Sequence, residues 1–167
     1  MHTIFNTVRL IVPVLTITLL VVSGFLPFTL SQEAVIFPSL TIIAIFYWAI
    51  YRPDLVPPVF IFLIGLLKDI GTGTPTGLMA SVFLIIYGVS FGQRRFFIGK
   101  IFYYTWLGFA VISAAAFFII WIMSALFLGK VGVLMIPIMH YMLTVLIFPL
   151  VIWFFVRLQR HPVSYTH

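Results

Sequence analysis

Glu33, Asp54 and Asp69 hold all the carboxyl chemistry of this 167-residue chain. Asp69 alone ends a strongly apolar run, beside Lys68 and just ahead of Gly71-Thr72-Gly73-Thr74-Pro75-Thr76-Gly77. An ionisable group in such a run is by default a functional-site candidate. Gly65, Asp69, Gly73 and Gly77 recur every four residues. On a helix Gly65 and Asp69 therefore share a face, and glycine there lets a neighbouring helix come close. Three roles are open to Asp69: an interfacial pair with Lys68 that caps the helix, a hydrogen-bonding role inside the fold, or coupling to an ion or proton. The last needs further buried polar partners, and the flanking segments offer few.

Other reactive patterns are weaker. Gly88-Val89-Ser90-Phe91-Gly92 matches G-x-S-x-G, but that motif works at a strand-to-helix elbow, which an apolar helix lacks. A Ser90–His140 dyad fails on depth. Ser90 ends its segment, while His140 lies about seven residues, roughly 10 Å, from the opposite side. The glycine-rich stretch lacks the Lys-Ser/Thr ending of a phosphate-binding loop and reads as a tight turn between helices. No H-x-x-x-H or carboxylate pair offers a metal site, and the absence of cysteine excludes disulfides and thiol chemistry. The residues thus predict no catalytic group, no metal and no cofactor.

The elements that must position these groups are apolar throughout. Hydrophobic residues make up 63% of the chain and charged ones 7%, against about 25% in an average soluble domain. Mean hydropathy is +1.27. Twelve charges cannot cover a soluble fold of this size, so lipid is the expected solvent. A span needs about 20 apolar residues. Candidate spans lie at residues 10–30, 35–50, 57–70, 78–91, 101–128 and 133–156, in one membrane domain covering 1–167. The segment after Arg9 has the look of a signal peptide but reads as a retained first span, because apolar segments follow to the end. The third and fourth are short, so five spans, or four with a re-entrant pair, are the alternatives to six. Tyr47-Trp48 reads as an interfacial aromatic pair, and Gln93-Arg94-Arg95 as part of a basic loop. Pro137 and Pro149 would each kink the last span.

The net charge of +6 suits lipid contact better than nucleic acid, since no basic stripe stands apart from the apolar runs. With both termini cytoplasmic, a six-span chain collects Arg9, Arg52, Arg94, Arg95, Lys100, Arg157 and Arg160 inside and only Lys68 and Lys130 outside. That matches the positive-inside rule.

Phe37-Pro38-Ser39-Leu40, Tyr47-Trp48, Gly65-Leu66-Leu67-Lys68-Asp69, Gly73 and Gly77-Leu78 occur in an order that resembles the MreD family of rod shape-determining membrane proteins. Phe148-Pro149-Leu150, Trp153 and Arg157 resemble its last span. The Gln93-Arg94-Arg95 and Tyr51–Asp54 stretches carry none of the likeness. The resemblance implies a bacterial inner-membrane protein, not an enzyme, in the elongasome. Its partners would be MreC and, indirectly, MreB and the peptidoglycan synthases. It implies an all-α polytopic fold similar to the substrate-binding subunits of energy-coupling-factor transporters. Gly65, Asp69, Gly73, Gly77, Trp48 and Pro149 are the structural or partner-interface candidates. The competing expectation is a vitamin-type transport or capture subunit, with a polar pocket drawn from Asp69, Thr72, Thr74, Thr76 and His140.

Overall fold

The computed structural model describes residues 13–22, 38–97, 99, 102–129 and 134–160. Among them are six α-helices and no strand: α1 (Pro13–Val22), α2 (Leu40–Tyr51), α3 (Pro58–Thr72), α4 (Leu78–Phe97), α5 (Phe102–Leu128) and α6 (Met135–Arg160). A 3-10 turn at Pro53–Leu55 joins α2 to α3. The described residues are all-α, the class that the apolar segments predict.

Two helices, α5 and α6, are long and apolar enough to cross a membrane, with mean hydropathies of 2.4 and 2.1. Only 22% and 17% of their apolar stretches is buried. The core helix of a soluble protein would be mostly covered, so these helices leave broad apolar faces without protein against them. The outer faces carry Val111, Phe118, Leu126, Leu146, Leu150 and Trp153, each more than half exposed.

Helix α2 takes the opposite role. Its residues 41–50 are buried without interruption, so it is a central post ringed by α4, α5 and α6. A helix apolar on every side is stable only when covered on every side. Pro38 disfavours helix before Ser39, and α2 starts at Leu40. Its 12 residues rise about 18 Å, short of the roughly 30 Å of a bilayer core. Residues 35–37 of the second candidate span lie outside the described residues. Tyr47 and Trp48 are therefore not an exposed interfacial pair: they are 1% and 2% exposed, with the Phe155 ring of α6 against both. Deeper in, Phe46 meets Phe97, Phe109 and Phe148 edge-on, and the last two stack at 4.2 Å. Ile17 and Val21 of α1, one turn apart, join the same core.

Helix α4 is longer than its apolar run. It continues through Gln93, Arg94 and Arg95 to Phe97, so the expected basic loop is a helical end. Gln and Arg are good helix formers, cations suit a helix C-terminus, and the Arg94 guanidinium lies 4.8 Å from the ring centroid of Phe91. Helix α4 is also the hub, packing on α3, α2 and α5, while α3 packs chiefly on α4.

Of the two prolines in α6, Pro137 occupies the first turn, where no intrahelical donor is needed, so it removes no hydrogen bond. Pro149 is interior and frees the carbonyl of Val145. Trp106 of α5 fills that vacancy: its Nε1–H donates to Val145 O at 3.1 Å. Two further bonds hold α6 in place. Tyr141 Oη donates to Ala110 O at 3.2 Å, and the Ser39 N–H donates to Thr144 Oγ1 at 3.0 Å.

Trp106→Phe should lower stability by about 1–2 kcal/mol through the stranded carbonyl. In a Pro149→Ala background, where an N–H at 149 can serve Val145, the same change should cost clearly less. A double-mutant cycle of thermal unfolding in detergent reads the difference, and equal costs in both backgrounds would refute the pairing.

Candidate functional site

The sequence nominates the α3–α4 junction, and the structure brings Gly65, Asp69, Gly73 and Gly77 together there. Helix α3 ends because Gly73 adopts φ 67°, a left-handed conformation that costs other residues about 1–2 kcal/mol. The Gly73 and Thr74 N–H groups then both donate to the Asp69 carbonyl, the latter at 3.2 Å. Gly77 turns the chain again with φ 101°, and α4 begins at Leu78.

The Asp69 side chain closes the same turn. It is fully buried and accepts from three donors. Oδ1 receives Thr74 Oγ1 at 2.8 Å and the Met79 N–H at 2.9 Å. Oδ2 receives the Gly77 N–H at 2.8 Å. The N–H groups of a helix's first turn lack intrahelical partners and carry partial positive charge, so a carboxyl group from α3 caps α4 across the turn. Its geometry supplies the hydrogen-bonding role. The expected Lys68–Asp69 pair does not form, because adjacent residues on a helix point about 100° apart. The Lys68 ammonium instead lies 5.9 Å from the ring centroid of Phe83.

The four glycine-spaced positions do different work. At Gly65 the backbone of α4 passes so close that an added Cβ would overlap Ala80 Cα and stand 2.7 Å from Ala80 N. That is the close approach the spacing predicts. An added Cβ at Gly73 or Gly77 meets nothing within 4 Å. These two serve the turn through positive φ.

The remaining candidates lie elsewhere. Trp48 is in the core beneath Phe155, and its buried Nε1 has no hydrogen-bond partner. Pro149 is exposed on α6. Ser90 is fully buried and its Oγ has no hydrogen-bond partner, so it forms no dyad with His140. The His140 carbonyl accepts the Thr144 hydroxyl at 2.6 Å. Among the groups proposed for a polar pocket, the Thr72 hydroxyl donates to Lys68 O at 2.8 Å and Thr74 is held by Asp69. No group of three or more His, Cys, Asp or Glu residues that could hold a metal exists among the described residues.

Sequence reasoning missed Trp106 and Thr144. A tryptophan in one apolar helix and an interior proline in the next were visible, but their register was not.

Replacing Asp69 should rank the variants. Asp69→Asn keeps one acceptor oxygen and sets an amide N–H against a backbone N–H, costing about 1–3 kcal/mol. Asp69→Ala strands the Gly77 and Met79 N–H groups and should cost more. Gly65→Ala should cost at least about 1–3 kcal/mol, because the obstructing atoms are backbone, while Gly88→Ala, where an added Cβ meets nothing within 4 Å, should be neutral or better. Melting temperatures of the detergent-purified variants check the order, and Asp69→Ala melting with the parent would overturn the capping role.

No family model, no curated protein and no solved structure matches the chain.

Proposed function

We propose that this chain is a multi-pass inner-membrane scaffold of the MreD type. It would hold MreC, and through it MreB and the peptidoglycan synthases, during rod-shaped growth. In this reading it performs no reaction and carries no cofactor. The observation that carries it is the disposition of the polar groups. Asp69, the one deeply buried acid among the described residues, has both oxygens occupied by the α3–α4 turn, and α5 and α6 turn their apolar faces outward. A bundle whose buried carboxyl group is fully engaged and whose apolar faces are open is suited to binding lipid and partner helices. Pairing of helices in lipid draws on shape and small residues, because lipid gives no hydrophobic drive.

The six crossings belong to the same proposal. Helix α4 has 20 residues, about 30 Å, enough for a thin span. Helices α2 and α3, with 12 and 15 residues, would cross only with the help of turns at their ends. The termini are then both cytoplasmic, with the arginine-bearing ends of α4 and α6 inside.

Depletion of the chain from its host should turn rods into spheres, and MreC should be recovered with the tagged chain from detergent extracts. The purified chain should show no saturable vitamin binding. Cells that stay rod-shaped while the purified chain binds a vitamin saturably would replace the scaffold with a capture subunit.

A further inference from the structure

Among the described residues, the exposed tyrosine and tryptophan side chains are Tyr51, Tyr103, Tyr104 and Trp153. All stand at one end of the bundle. Tyr103 and Tyr104 open α5, where the Phe97 ring from the end of α4 lies so close to Gly108 that an added Cβ would overlap it. Phe102 and Phe109 of the same stretch meet Phe148 of α6, and Trp153 lies beyond Phe148 toward the end of that helix. Tyr51 joins this end through Tyr47, whose ring meets both Tyr51 and Phe155.

The same end is basic. Arg52 follows Tyr51, Arg94 and Arg95 lie in the last turn of α4, and the Arg157 guanidinium sits 5.3 Å from the ring centroid of Trp153. Tyrosine and tryptophan join an apolar ring to a polar tip, so they collect where hydrocarbon meets headgroups. The other end is built differently. Leu126, Phe127, Leu134 and Met135 are exposed there, and none has a polar tip. From Tyr104 to Leu126 the helix descends about 33 Å, one thickness of hydrocarbon core. Lys68, near the 73–77 turn, is half-buried against Phe83, and Lys130 lies outside the described residues.

We propose that the bundle is anchored to lipid headgroups from one side only, by the ring of Tyr103, Tyr104 and Trp153 with the arginines beside it. The inference rests on the membrane reading above and adds which surface fixes the depth of the bundle. A bundle held at one face takes up a change in bilayer thickness at the other. The apolar end at Leu126 therefore moves between hydrocarbon and headgroups while the aromatic ring stays in place.

The absence of cysteine allows a clean probe. Leu107→Cys, one helical turn inside the ring, and Leu126→Cys, at the far end, are both at exposed positions. Each is labelled with bimane and reconstituted into phosphatidylcholine vesicles of short, medium and long acyl chains. Emission from 126 should shift to the red in thin vesicles, where the position reaches water, and to the blue in thick ones. Emission from 107 should stay constant. Tyr103→Leu, Tyr104→Leu and Trp153→Leu together, all at exposed positions, should pass part of the shift to 107. Equal shifts at 107 and 126 in the parent, no shift at either, or a triple variant that behaves as the parent would each overturn the one-sided anchor. Failure of the chain to float with the vesicles would overturn the membrane reading itself and the anchor with it.

Discussion

A polar group surrounded by apolar side chains must find its hydrogen-bond partner within the protein, and the bundle is organised around that requirement. Asp69 is its clearest expression. One carboxyl group and one backbone carbonyl of the same residue close the end of α3 and the start of α4. Trp106 repairs the gap left by Pro149, and the Thr144 hydroxyl links the N-terminus of α2 to α6. The Ser113 hydroxyl bonds the carbonyls of its own preceding turn, Phe109 and Ala110, and Tyr141 shares the second of these. These bonds fix the register that apolar contacts alone leave loose. Ser90 Oγ and the Trp48 indole N–H stand outside this scheme as buried groups without a hydrogen-bond partner.

Much of this was written in local sequence. The apolar runs at 101–128 and 133–156 are α5 and α6 to within a few residues, because long apolar segments have few other outcomes. The glycine-rich break and the Gly65–Asp69 face were legible from spacing. What spacing could not reveal was depth. Tyr47-Trp48 has the composition of a lipid-interface pair, yet α2 is enclosed, and only tertiary contacts decide between the two. Arg94 and Arg95 marked a loop by charge, although both favour the end of a helix. Gly73 and Gly77 lie in the stretch read as a tight turn, and positive φ at both is what turns the chain.

The polar inventory also bears on function. Once the Asp69 oxygens, the Thr74 hydroxyl and the first N–H groups of α4 are joined, the α3–α4 turn has little left with which to hold a substrate. The outer faces of α5 and α6 present broad exposed apolar surface. In the proposed reading these surfaces meet lipid and partner helices, and the arginines at one end hold the bundle to the cytoplasmic leaflet.

That reading requires α4 to carry the chain across the membrane, with the turn at residues 73–77 on one side and Arg95 on the other. Single cysteines at exposed Thr76 and exposed Arg95, treated with a membrane-impermeant maleimide, test it directly. The account predicts labelling at 76 in spheroplasts and at 95 only after lysis. Labelling of both positions in spheroplasts, or of neither until lysis, would contradict it.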